Sequence, residues 1–126
     1  MAQLTNTYAP RKGETFGLWF IKMITGPLLV ILLIIHMIIN HLVAEGGLLT
    51  YADVVEYFNN PWIVIMEVTF LTTVTTHALL GLRGIILDMN PSRSILNTLN
   101  WVLGLAGVGV VVYGVWLALT IASHSV

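Results

Sequence analysis

Three largely apolar runs, each long enough to cross a lipid bilayer, constrain this chain more than any other feature of its sequence. They span residues 19–42, 62–87 and 101–122. A helix needs about 20 residues, at about 1.5 Å each, to cross a hydrocarbon core of about 30 Å. Because lipid offers the backbone no hydrogen bonds, each run is expected to form an α-helix. The sequence therefore predicts an all-α membrane protein with three transmembrane helices, built as a single domain over residues 1–126.

The composition agrees with a membrane location and limits the available chemistry. The chain is 57% hydrophobic and 9% charged, whereas a soluble domain is roughly 25% charged. It has no cysteine, so it supplies neither a disulfide nor an iron–sulfur ligand. The polar N-terminus, residues 1–14, lacks the apolar core and cleavage site of a secretory signal and is expected to be a retained tail. No nucleic-acid partner is expected.

The distribution of basic residues predicts the orientation in the membrane. The loop between the first two runs, residues 43–61, has acidic residues but no Lys or Arg. The positive-inside rule therefore places the N-terminus in the cytoplasm, on the side where a soluble partner would dock. The residues concerned are Arg11, Lys12, Lys22, Arg83 and Arg93 on the N-terminal side, and Glu45, Asp53 and Glu56 in the loop.

The second run places a histidine, two glycines and an aspartate on one face. His77, Gly81, Gly84 and Asp88 share one side of a helix at about 100° per residue. An ionisable residue in hydrocarbon normally faces a bundle interior, a cofactor or a proton path. The glycines leave room either for a large flat group or for a close helix contact around a hydrogen-bonded histidine. Arg83, near the cytoplasmic end, either holds an anionic group such as a heme propionate or extends to the lipid headgroups.

The first run carries a polar stripe. Lys22, Thr25, His36 and Asn40 fall within about 60° of one another on a helix of about 3.6 residues per turn. Lys22 and Thr25 are candidates to hydrogen-bond a quinone or a propionate. Alternatively, they are an interfacial lysine and a threonine bonded to its own helix. The histidines expected to be solvated or structural are His41 and His124.

The two histidines within the spans lie at different predicted depths. His36 is 17 residues past Trp19, about 25 Å from the cytoplasmic end, and His77 is 11 residues before Asp88, about 16 Å from that end. Two axial imidazoles of one heme iron must lie at nearly the same depth, and a helix tilt of about 20° does not easily close a gap of about 9 Å. We therefore expect two separate sites, each with a second ligand from another chain.

The remaining polar and small residues have secondary predicted roles. Glu67 relays protons to a distal quinone site, balances heme charge or is wetted near the interface, and the last interpretation is preferred. The threonines of the second run are expected to bond backbone carbonyls or the histidine ring, for which Thr73 is well placed. The third run is predicted to be a packing helix. The threonines are Thr69, Thr72, Thr73 and Thr76, and the small residues of the third run are Gly104, Gly107, Gly114 and Ala118.

Two motifs resemble a known family. The pattern His77-x3-Gly81-x-Arg83-x4-Asp88 is similar to the heme-ligand helix of the membrane-anchor subunits of succinate dehydrogenase and fumarate reductase, or respiratory complex II. Residues 24–26 (Ile-Thr-Gly) and 36–40 (His-Met-Ile-Ile-Asn) resemble the first helix of its di-heme members. The resemblance covers residues 20–88. The third run resembles the family only in being a helix of the same type, without a matching motif.

The resemblance implies an electron-transfer anchor subunit of succinate:quinone oxidoreductase in a prokaryotic cytoplasmic membrane. His77 would be an axial ligand of a cytoplasm-proximal b heme and His36 of a distal one, shared with a second anchor chain in a helix bundle. The chain would have no catalytic residue, because dicarboxylate chemistry would occur on a flavoprotein and electrons would pass through an iron–sulfur subunit. Lys22 and Asp88 are candidates to contact the quinone. The predicted cofactor-binding residues are His77, His36, Arg83, Lys22, Thr25, Gly81, Gly84 and Asp88.

Two other functions are also compatible with the sequence. One is a heme-free membrane anchor or assembly protein whose histidines pack against polar side chains. The other is a b-type cytochrome subunit of a different dehydrogenase. An intense heme absorption band would exclude the first, and co-purifying flavoprotein and iron–sulfur chains would exclude the second.

Overall fold

The described part of the chain is formed by apolar helices. A computed structural model describes residues 14–43, 48 and 50–124. Helix α1 spans Phe16–Ile38 and continues into a π-helical turn, Ile39–Val43; α2 spans Tyr51–Phe58, α3 Pro61–Asp88 and α4 Arg93–Ser123. Helix α1 with its π turn, α3 and α4 are each long and apolar enough to cross a membrane. The prediction of three transmembrane helices is confirmed.

Some predictions fall on residues outside the described part. These residues are 1–13, 44–47, 49 and 125–126. The retained tail, and the contribution of Arg11, Lys12 and Glu45 to the orientation, therefore stay predictions.

The helices extend beyond the predicted apolar runs, most clearly at the start of α4. This helix begins at Arg93 rather than at residue 101. Asn90 has a φ of 52°, in the left-handed region that Asn tolerates, and the Ser92 hydroxyl accepts a hydrogen bond from the Ile95 N–H. The chain therefore reverses in a short loop. Hydropathy marks only the part of a helix that lies in hydrocarbon, whereas the 31 residues of α4 extend over about 46 Å.

The connection between the first two spans contains a short helix, α2, so the prediction of a polar loop throughout is wrong. The helix begins with a capping box. The Thr50 hydroxyl accepts from the Asp53 N–H at 3.3 Å, and the Asp53 carboxylate accepts from the Thr50 N–H at 2.7 Å. Tyr57 lies on the buried face of α2. The spacing Thr50-x-x-Asp53 is a signal for this helix that the sequence already contains.

Helix α3 lies between α1 and α4, and within the described helices no close backbone contact joins α1 to α4. Gly107 and Gly114 of α4 face Leu79 and Leu71 of α3. A Cβ at Gly107 would lie only 2.7 Å from Leu79 Cδ1, so the absence of a side chain allows this close approach. The prediction that the third span is a packing helix is confirmed. Gly104 differs from these glycines, because a Cβ there would meet nothing within 4 Å.

Few side chains are enclosed within this single chain. The buried hydrophobic residues of the described part are Leu32, Tyr57 and Ala118. Most large apolar side chains of α1 and α4 are exposed. In a membrane these faces contact lipid or another helical chain, and packing between helices is then driven by close fit and polar contacts.

Replacing Gly114 by valine is expected to destabilise the pairing of α3 with α4 by about 1–3 kcal/mol, because a Cβ at this position overlaps the Leu71 side chain. Gly109→Val is the matched control on the same helix, since a Cβ there meets nothing within 4 Å. Thermal unfolding in detergent micelles measures the difference. Equal melting temperatures for G114V and G109V would contradict this packing.

Candidate functional site

The polar residues of the first two spans meet in the contact zone between α1 and α3. We call this zone the α1–α3 seam and define it by Lys22, Thr25 and His36 of α1 and by Glu67, His77 and Gly84 of α3. The polar stripe predicted on the first span therefore faces the helix that carries His77. The chemistry of the seam depends on which ring nitrogen of each histidine is engaged.

His77 is bound to α1 through one ring nitrogen. Its Nδ1 lies 3.1 Å from the Thr25 hydroxyl, and that hydroxyl donates its only proton to the Lys22 carbonyl oxygen at 3.2 Å. When the hydroxyl donates to the Lys22 carbonyl, it accepts from the ring N–H at Nδ1, and Nε2 then carries the lone pair. This is the arrangement of a metal-binding histidine, whose other nitrogen donates to a neighbouring acceptor.

One glycine contacts the His77 ring, and a second lies one turn further along α3. A Cβ at Gly26 would lie 3.4 Å from His77 Cε1, so the ring packs directly on the backbone of α1. One turn along α3 from the histidine, a Cβ at Gly81 would meet nothing within 4 Å. A histidine that binds a large flat cofactor needs open space nearby, and Gly81 adds no side chain one turn from His77.

The N-terminal end of the seam contains an ion pair. Lys22 Nζ lies 2.6 Å from Glu14 Oε1, and the two side chains are 22% and 5% exposed. A Cβ at Gly84 would lie 3.6 Å from Lys22 Nζ, so the ammonium group lies against α3. The lysine predicted to contact a quinone or a propionate therefore already has a carboxylate partner in its own chain.

His36 lies toward the other end of the seam. Its Nδ1 lies 3.0 and 3.1 Å from the two carboxylate oxygens of Glu67, and its ring stacks on Phe70 with centroids 4.8 Å apart. The Asn40 amide nitrogen lies 3.0 Å from Nε2, so Nε2 accepts from Asn40 when Nδ1 donates to Glu67. Asn40 Oδ1 is buried and has no hydrogen-bond partner among the described residues. Such an unpaired acceptor marks a place where a donor from outside these residues fits.

Tyr57 of α2 closes this end of the seam. Its hydroxyl donates to Glu67 Oε1 at 2.5 Å. Burial raises the pKa of Tyr57, and the hydrogen bond and negative charge of Glu67 raise it further. The phenol therefore stays protonated and remains a donor. Since the Glu67 side chain is only 15% exposed and has two partners, the preferred prediction of a wetted carboxylate is wrong.

The two histidines lie at different levels of the seam. His77 is level with Thr25, whereas His36 is level with Glu67, ten residues from His77 along α3. Ten residues correspond to about 15 Å. This separation agrees with the expectation that the two rings do not bind one iron from opposite sides.

Arg83 faces α4 rather than the seam. Its Nε donates to Asn100 Oδ1 at 2.7 Å, and the residue is only 8% exposed. His77 and Arg83 are six residues apart, which places them about 120° apart around the helix axis at about 100° per residue. Arg83 therefore lies off the His77 face and contacts Asn100 of α4, and its predicted contact with a heme propionate stays a prediction. Helix α3 presents the histidine to α1 and the arginine to α4.

The other predicted residues have ordinary structural positions. The Thr73 hydroxyl donates to the Thr69 carbonyl at 2.8 Å, so the partner of the His77 ring is Thr25 and not Thr73. Asp88 is exposed at the end of α3, and His41 is exposed on the π turn. The His124 ring lies 2.7 Å from the Thr120 carbonyl at the end of α4.

Sequence reasoning missed three residues that complete these contacts: Tyr57, Phe70 and Asn100. Tyr57 and Asn100 lie outside the predicted apolar runs, and Phe70 has no pattern that distinguishes it from other apolar residues. Within the described residues, no group of three or more His, Cys, Asp or Glu side chains is placed to bind a metal ion. A metal at either histidine therefore needs ligands from a cofactor or from another chain.

Comparison with known proteins identifies the family. The family model described as succinate dehydrogenase/fumarate reductase transmembrane subunit matches residues 5–113. The chain belongs to this family. It is 32% identical over 103 residues to the succinate dehydrogenase hydrophobic membrane anchor subunit of Archaeoglobus fulgidus, covering 82% of this chain and 87% of that protein. It is 26% identical over 107 residues to the protein of the same name from Thermoplasma acidophilum, covering 85% and 87%.

Membership of the succinate dehydrogenase/fumarate reductase transmembrane subunit family makes this chain a membrane-anchor component of an enzyme complex. The matched residues include all of α2 and α3, all of α1 and most of α4. The likeness therefore extends into the third span, beyond residues 20–88 where the motifs suggested it. Both histidine levels of the seam lie inside the matched region.

Replacing Tyr57 by phenylalanine is expected to weaken the docking of α2 by about 1–3 kcal/mol, because Glu67 loses a charge-assisted hydrogen bond. Hydrogen exchange of the α2 amides measures this local opening. Tyr51→Phe is the matched control, since Tyr51 lies on the same helix and is 67% exposed. Similar protection of α2 in Y57F and Y51F would show that the Tyr57 contact does not hold this helix.

Proposed function

We propose that this chain is the membrane-anchor subunit of a succinate dehydrogenase and binds b heme through His77. A flavoprotein and an iron–sulfur subunit dock on the N-terminal side of the bundle, and a second anchor chain supplies the other axial ligand. The observation that carries the proposal is the Thr25–His77 hydrogen bond, which engages Nδ1 and makes Nε2 the ring nitrogen that binds the iron. Family membership supports the assembly with catalytic subunits.

The residues of the seam prepare His77 for this role. A bound b heme supplies one-electron transfer between the iron–sulfur clusters of a partner and a quinone. Thr25 fixes the tautomer and the orientation of the His77 ring, and Gly26 lets the ring pack on the α1 backbone. The exposed apolar face of α1 offers the second anchor chain a surface without charged side chains between Lys22 and His36.

A second heme at His36 stays a prediction. Glu67 supports it, because a carboxylate that accepts from Nδ1 is a common partner of metal-binding histidines. The present rotamer of Asn40 blocks iron binding at His36, because the Asn40 amide nitrogen lies 3.0 Å from Nε2. The amide would have to turn away before Nε2 could bind a metal. The buried Oδ1 of Asn40 favours such a turn, because an unmet hydrogen bond costs about 1–3 kcal/mol.

The cytoplasmic location of the N-terminus and the quinone contacts also stay predictions. Of the two quinone candidates, Lys22 is paired with Glu14, and Asp88 is exposed at the end of α3. A quinone at Lys22 would have to share the ammonium group with that carboxylate.

His77→Gly is expected to remove a b heme from the purified complex, measured as heme per flavin by its absorption spectrum. Added imidazole is expected to restore the band if the rest of the site remains folded. His41→Gly is the matched control, because His41 is an exposed histidine of the same chain. Full heme content in H77G without imidazole would overturn the assignment. If the complex with the unsubstituted chain assembles normally but contains no heme, the chain is a heme-free anchor and the heme proposal is wrong.

Thr25→Val is expected to raise the midpoint potential of the heme at His77. Removing the acceptor from Nδ1 makes the ring a poorer electron donor to oxidised iron. The shift is expected to be on the order of tens of millivolts, since ~1 kcal/mol corresponds to about 43 mV for one electron.

Thr25→Ser is the conservative control, because it keeps the hydroxyl and should keep the potential. Redox titration of the heme band compares the two variants. An unchanged potential in T25V would show that Thr25 does not act on the ligand.

A further inference from the structure

A groove on the other side of α3 is separate from the α1–α3 seam. It has a volume of about 560 Å³ and lies mainly between α3 and α4. We call it the α3–α4 groove and define it by Leu79 and Arg83 of α3 and by Asn100, Gly104 and Val108 of α4. Its lining is largely Leu, Val and Gly, and its charged group, Arg83, lies at the end nearest the α3–α4 loop.

We propose that this groove binds one anionic membrane lipid, with a hydrocarbon chain along Gly104 and Val108 and the phosphate at Arg83. The apolar length of the groove suits a lipid chain, and the arginine suits a phosphate. Arg83 is held in place because its Nε donates to Asn100 Oδ1 at 2.7 Å. The guanidinium group is therefore fixed in position at the polar end of the groove.

The depth of Arg83 in the membrane matches that of a lipid headgroup. The 28 residues of α3 extend over about 42 Å, which exceeds the hydrocarbon thickness of about 30 Å. If the helix is centred, about 6 Å of it extends beyond the hydrocarbon on each side. Arg83 is five residues, or about 8 Å, from the end of α3 at Asp88. It therefore lies close to the boundary between headgroups and hydrocarbon.

The length of the groove matches one leaflet. Along α4 it extends from Asn100 to Val112, about 18 Å, and along α3 from Arg83 to Thr75, about 12 Å. Half of the hydrocarbon core is about 15 Å. A transmembrane helix of a partner would be expected to follow α3 and α4 over their whole length, whereas a lipid of one leaflet occupies only this half.

Gly104→Leu tests the proposal because it fills the groove without disturbing the packing of α4. A Cβ at Gly104 would meet nothing within 4 Å, so the larger side chain projects into the groove. Gly109→Leu is the matched control, since a Cβ there also meets nothing within 4 Å and Gly109 does not line the groove. The purified complexes are exchanged into nanodiscs of phosphatidylglycerol and phosphatidylcholine, and the retained lipid is measured by mass spectrometry after detergent extraction.

G104L is expected to lose the retained phosphatidylglycerol, and G109L is expected to keep it. Arg83→Gln is expected to lower the preference for phosphatidylglycerol over phosphatidylcholine about fivefold, through loss of one cationic contact. Equal retention of phosphatidylglycerol in G104L and G109L would overturn the proposal. So would a G104L complex that keeps the lipid but loses another subunit, because the groove would then be a protein interface.

Discussion

The hydrogen bonds that join α1 to α3 are the interactions on which the rest of the structure depends. Apolar surfaces do not distinguish a neighbouring helix from lipid, so polar contacts and close packing determine which helices pair. The Thr25–His77 and His36–Glu67 contacts lie at levels about 15 Å apart along α3. Two contacts at separate levels determine both how far α1 slides along α3 and how it is rotated.

The central position of α3 gives it a different task on each side. Toward α1 it presents His77 to the Thr25 hydroxyl, which lies 3.1 Å from Nδ1 of the ring. Toward α4 it presents Arg83 to Asn100, and leucines to the glycines of α4. These two sides are about 120° apart, so the proposed heme ligand and the proposed lipid contact face different neighbouring helices.

The short helix α2 connects the loop side of the bundle to the buried carboxylate of the seam. Tyr57 donates to Glu67, and Glu67 accepts from His36, so three elements meet at one group. The same end contains the unpaired Oδ1 of Asn40. Among the described residues few side chains are enclosed and one buried acceptor is unpaired, which fits the proposal that partner chains complete the anchor.

The sequence by itself determined the three membrane spans, the packing role of the third and the family, because apolar length and residue spacing are local properties of the chain. It also placed Thr25 and His36 on one stripe of α1. The tertiary structure decided which of these residues touch. Thr25, and not Thr73, reaches His77, Tyr57 reaches Glu67, and Arg83 turns to α4. These contacts depend on the rotation of one helix against the next, which spacing along a single helix does not specify.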